Sequence, residues 1–184
     1  MKKLCLSLLA LISSFISFSQ CSDLFFSEYI EGTSNNKVLE IYNPTNNVVN
    51  LTDYQVRSYF NGNTTAVTVA LIGTLNPGQV FIICHNMASP TILAIAHQTV
   101  NGGAMNFNGN DAVELYKIST NTVIDLIGIV GDNPGTEWLL NGVSGTVDKT
   151  LVRKNTVKAG TNTWTGVGEM QWDIHPVNIF SFLN

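Results

Sequence analysis

Short runs of alternating apolar and polar residues, each ended by a turn, constrain this chain more than any other feature. "DLFFSEYI", "KVLEIYN", "YQVRSYF", "TTAVTVALIG", "QVFIICH", "AVELYK", "VIDLIGIVG" and "KTLVRK" carry the two-residue period of a pleated strand. Between them lie "EGTSNN", "NPTNN", "FNGNTT", "LNPGQ", "NFNGND", "STNT" and "GDNPGTE", rich in the Gly, Pro and Asn that favour turns. Alternation gives each run one face for a core and one for solvent, so several must stack before any is stable. Eight candidate strands at this spacing predict an all-β sandwich or barrel.

One segment departs from the pattern. In "SPTILAIAHQ", Ser89 suits an N-cap and Pro90 the first helical position, where a missing N–H costs nothing. Ile92, Leu93, Ile95 and Ala96 then supply an apolar stripe, which predicts a helix lid at one end of the sandwich, closed by His97 near the C-terminal dipole.

The first residues belong to export rather than to the fold. "MKKLCLSLLALISSFISFSQ" has a basic start, an apolar run from Leu4 to Ile16 and a small-x-small ending at Ser17-Phe18-Ser19. The run is shorter than the ~20 residues of a membrane span, so residues 1–19 read as a signal peptide and Gln20 as the mature terminus. Lipidation of Cys21 is the competing reading, with Phe18 and Gln20 at positions where a lipidation site usually has Leu and a small residue. The rest, 20–184, suits a single domain, secreted or held in the periplasm or at the cell surface.

Charge excludes some partners. The formal net charge is −4, and losing Lys2 and Lys3 leaves seven basic against 13 acidic residues, or −6. The densest basic stretch, "RKNTVK" with Arg153, Lys154 and Lys158, reads as a solvated strand end. Nucleic-acid affinity needs clustered cations, so a polyanion partner is disfavoured. Charged residues are 12% of the chain, about half the usual ~25%, and Asn, Thr, Ser and Gly take their place, as suits an extracellular β module. Of the cysteines, Cys5 leaves with the signal. Cys21 and Cys84 either pair in an oxidising compartment or stay apart, Cys84 buried and Cys21 near the terminus.

The order of "SEYIEGTSNNKVLEIYNPT", "VNLTDYQV", "GTLNPGQVFII", "NFNGNDAVELYK", "VIDLIGIVG", "DKTLVRK" and "QWDIHPVNIFSFL" resembles the lamin tail domain family, more specifically its bacterial secreted branch. The resemblance runs from about Leu24 to Leu183. It implies an immunoglobulin-like β-sandwich, in agreement with the strand count, and a non-catalytic module. Family members often accompany nuclease, phosphatase or other hydrolase domains in exported proteins; here none is visible, and the chain reads as a standalone copy.

Candidate chemistry is sparse. Glu28 and Glu40 alternate with large apolar residues on neighbouring runs, so they are expected on one exposed face, with Lys37 as a nearby charge partner and Glu31-Gly32 in the turn. Two facing carboxylates could supply an acid and a base, but no supporting constellation accompanies them. Asn106, Asn108, Asn110 and Asp111 could converge oxygens as in a calcium loop. Only Asp111 is anionic, and related sequences commonly carry an acid at the position of Asn110, so a turn closed by side-chain amides is expected and no metal. His85, His97 and His175 lack zinc spacing, and Cys84 has no third group to make a nucleophile pair with histidine. Trp138, Trp164 and Trp172 are expected to pack in the core rather than stack on sugars, and Phe180 and Phe182 to form a final half-buried strand. The expectation is therefore a binding, adhesion or targeting module without catalytic residues or cofactor, its partner a protein or a surface polymer. The alternative is a small secreted hydrolase using Glu28 and Glu40 or the Asn106–Asp111 loop.

Overall fold

The computed structural model describes residues 23–184; the signal-peptide reading, the mature terminus and Cys21 lie outside them. Each of the eight alternating runs contains a strand. In chain order the strands are β1 (Phe25–Glu31), β2 (Lys37–Tyr42), β3 (Val49–Asn50), β4 (Tyr54–Tyr59), β5 (Val67–Ala70), β6 (Thr74–Leu75), β7 (Val80–His85) and β8 (Gln98–Val100). They continue with β9 (Ala112–Lys117), β10 (Thr122–Ile127), β11 (Leu139–Leu140), β12 (Val143–Ser144), β13 (Lys149–Arg153) and β14 (Trp172–His175).

Two sheets carry the fold. One has the order β14-β13-β1-β2-β7-β8, the other β10-β9-β4-β5, with β11-β12 and β3-β6 as small ribbons. All pairings in the two sheets are antiparallel except β7 with β8. The alternation does what the pattern requires: Phe26, Tyr29, Leu39, Ile41, Ile83 and Leu151 of the larger sheet meet Val56, Val113 and Leu115 of the smaller in one buried core. Trp138, Trp164 and Trp172 are buried in that core, as expected.

A buried ion pair staples the two sheets. Asp125, on β10 just past a bulge, pairs with Arg153 of β13 in the other sheet. Asp125 also accepts the backbone N–H groups of Phe26 (3.0 Å), Leu126 (3.1 Å) and Thr161 (2.9 Å). Burial pushes this carboxyl up and Arg153 and the backbone donors pull it back; with donors aimed at both oxygens, it is held as the anion. Arg153 donates to Phe26 O (2.8 Å) and Gln171 Oε1 (2.7 Å), and its guanidinium lies 3.9 Å from the Trp172 ring centroid. Arg153 is therefore not part of a solvated strand end; it is 7% exposed.

The outer face of the six-stranded sheet holds a second, smaller core. Ile30, Val38, Ile82, Cys84, Ala88 and Ile92 form it, with Phe180 and Leu183 packed against it. This location corrects two expectations. The predicted helix shrinks to α1 (Pro90–Leu93), four residues without a side-chain bond at the Ser89 cap. It lies over the sheet face rather than at an end of the sandwich, and only Ile92 is buried, with Leu93 and Ile95 exposed. His97 does not close a helix: its N–H donates to Ile82 O (2.9 Å) and its Nδ1 accepts from Ile82 N–H (3.0 Å), drawing the chain to the edge of β7. The second correction is the "NIFSF" segment, which forms no strand. It crosses the outer face as a strap, with Ile179 N–H donating to Thr150 Oγ1 (3.2 Å) and Asn178 Oδ1 accepting from Thr33 N–H (3.1 Å).

Candidate functional site

The strap roofs the opening glutamates. β1 and β2 pair Glu28 with Glu40 directly across the ladder, and the same rung continues to Val152 on one side and Ile82 on the other. Both carboxylates share one face, as the alternation predicts, but that face is covered: each glutamate is 2% exposed. The physical reason lies far along the chain. Asn184 N–H donates to Glu40 Oε2 (3.0 Å) and Phe182 packs on His175 with ring centroids 4.6 Å apart, so the strap closes over what a bare sheet would leave wet.

The two acids are not equivalent. A bulge between Phe26 and Glu28 turns Ser27 so that its hydroxyl donates to Glu40 Oε1 (2.6 Å). Glu40 thus has both oxygens engaged. Glu28 receives no hydrogen bond among the described residues, and its Oε2 is buried without a partner. Burial, and then the neighbouring Glu40 charge, push the Glu28 carboxyl up to about 8. Burial also raises Glu40, against the Ser27 and Asn184 donors. Lys37 neutralises neither: it pairs with Glu31, which ends β1 rather than lying in the turn and also accepts the Asp148 N–H.

Both glutamates line a groove of ≈ 610 Å³. Tyr42 and Val80 contribute apolar surface, Phe182 and Asn184 the strap, and His97 a further wall. A second hollow of ≈ 280 Å³, lined by Phe25, Pro44, Lys154 and Lys158, shares Ser27, Tyr42 and Arg153 with the first. One trough therefore carries buried acids in one part and lysines in the other.

The other candidates resolve into structure. Asp111 is 1% exposed, its Oδ1 accepting Asn61 N–H (2.8 Å) and its Oδ2 Asn108 N–H (2.7 Å), while Asn110 donates to Gly135 O (3.2 Å). The loop closes on itself, and its one anion is spent on backbone donors. His85 Nδ1 accepts Met87 N–H (2.9 Å), and Cys84 lies in the outer core, where burial pushes its thiol up to about 11. The Asp125–Arg153 pair and the strap were not found by sequence reasoning. The pair spans two sheets, and no local pattern reports contacts between residues 28 and 144 positions apart.

Fold and site together define an immunoglobulin-like β-sandwich with a roofed acidic groove on one outer face. A model of the lamin tail domain family matches residues 17–131, more than half of the chain, and the protein belongs to that family. It is a family of immunoglobulin-like, generally non-catalytic domains. No curated protein matches the chain.

Proposed function

We propose that this chain is an exported, non-catalytic binding or adhesion module that recognises a protein or surface polymer through the roofed groove. One observation carries the reading: Glu28 and Glu40 stand side by side on one wall, on one rung of a sheet. An acid and a base working on a glycosidic bond must flank it. Neighbours on a rung project in parallel instead, which suits holding a ligand. The apolar leader at residues 1–19 and the uncharged polar surface support export.

A second reading has an observation of its own. Two raised carboxyls in a groove are also the raw material of a hydrolase, and Glu28 and Glu40 would be its acid–base pair. The two readings separate in one experiment. Purified protein is incubated with cell-envelope and secreted fractions, and in parallel with glycoside, ester and phosphate substrates. Specific retention that falls when Gln79→Trp fills the groove is expected, with no turnover. Hydrolysis lost in Glu28→Gln or Glu40→Gln would overturn the binding reading.

A further inference from the structure

A buried carboxyl without a partner is the feature of this groove that the fold does not explain. Glu28 sits 98% out of solvent with Oε2 unpaired, although a buried carboxyl without a partner is costly. The charged groups around it do not answer it. Glu40, from β2, repels it. Arg153, from β13, is committed to Asp125 and Gln171. His97 uses its Nδ1 on Ile82, and the strap spends Asn184 N–H on Glu40. None of them supplies the cation that Glu28 would need in order to ionise.

We propose that the groove binds the ammonium group of an aliphatic amine, carried by a free diamine or by a lysine side chain, with Glu28 as its anchor and Glu40 as the second charge. The inference rests on the binding-module reading and names the chemistry it recognises. Three features select this class. A hard metal ion takes six or more oxygens, and no cluster of three or more His, Cys, Asp or Glu side chains exists among the described residues. The volume, ≈ 610 Å³, is in the range of sites for small organic ligands. Tyr42, Val80, Val152 and Phe182 offer apolar surface to an alkyl stem beside the carboxylates.

Proton balance follows from the same geometry. Before an amine binds, the Glu28 carboxyl, pushed up to about 8 by burial and by Glu40, keeps its proton at neutral pH. An arriving ammonium favours the carboxylate, so the O–H bond breaks and one proton leaves to solvent while the amine stays protonated, its own pKa being about 10. Affinity should therefore rise roughly tenfold between pH 7 and pH 9, as the ionised fraction of Glu28 grows.

The test is calorimetry of the purified protein with cadaverine, with Nα-acetyl-lysine methylamide and with calcium chloride, at pH 7 and 9 and in buffers of different ionisation heat. One saturable site for an amine, proton release at pH 7, a rise with pH and at least tenfold weaker binding in Glu28→Gln are expected. Asp132→Asn, an exposed acid elsewhere, should bind as the unmodified protein does. Tighter cadaverine binding supports a free diamine as the source; tighter binding of the lysine derivative supports a side chain. Absence of amine binding, equal binding in Glu28→Gln, or binding without proton release would overturn the proposal, as would calcium binding in place of the amines. The proton-release measurement needs no variant, so a Glu28→Gln protein that fails to fold leaves the outcome decided. Envelope retention without amine binding would refute the ammonium assignment alone.

Discussion

Asp125 and Glu28, two buried carboxyl groups, meet opposite fates in this protein. Each guanidinium nitrogen of Arg153 and each carboxylate oxygen of Asp125 has a partner, among each other, three backbone N–H groups, Phe26 O and Gln171 Oε1. Removing one member leaves the other uncompensated in a dry interior, so Arg153→Met should cost about 3–5 kcal/mol in urea denaturation. Glu28 has no such answer, and its effect appears in the pH dependence of stability. Its folded carboxyl titrates near 8, against 4.5 ordinarily. Between these values the folded state holds a proton that the unfolded state has lost, so stability falls as pH rises across that window. Glu40, raised by burial, acts in the same direction. With solvent in the groove discounting the shift, the loss due to Glu28 should be on the order of 1–3 kcal/mol from pH 5 to 8.5. Denaturation at both pH values checks it; Glu28→Gln should flatten the difference, and an unchanged slope in the variant would assign the effect elsewhere.

At the scale of elements, packing on the outer sheet face decides what period alone leaves open. α1 docks through Ile92 only, so Ile92→Ala should cost about 2–5 kcal/mol and Leu93→Ala no more than about 0.5 kcal/mol, both read from urea midpoints. Equal costs would mean a longer amphipathic helix, as the apolar stripe of Ile92, Leu93, Ile95 and Ala96 suggests. The eight strands were legible because alternation is a local signal. The pairing of β1 and β2 was legible in part: alternation puts Glu28 and Glu40 on one shared face, as they are, while the bulge at Ser27 leaves no local signal. The helix stops short of the apolar stripe because the bonds between His97 and Ile82 draw the chain after Ile95 toward β7. Two-residue ribbons such as β3-β6 and β11-β12 are too short to show a period. The strap was misread as a strand because Phe180 and Phe182 alternate, although only Phe180 packs on the outer core and Phe182 stays 39% exposed.

For the whole molecule, the groove is assembled from parts far apart in sequence. The family match ends at residue 131, yet Val152, Arg153, Phe182 and Asn184, which complete the groove, come after it. The matched residues carry β1 to β10, while a third of the groove's lining and all of its strap come from the closing third of this chain. β13 joins these parts by pairing with β1, carrying Arg153 to the sheet interface and Val152 to the outer face beside Glu28. Everything proposed for function depends on that strap holding Glu28 away from water beside Glu40. Carbon-13 NMR titration of the Glu28 side-chain carboxyl measures this directly. A midpoint near 8 is predicted, moving downward when Phe182→Gly together with deletion of Asn184 loosens the strap. A midpoint at the ordinary 4.5 in the unmodified protein would mean an open, solvated carboxylate, and would contradict the roofed groove.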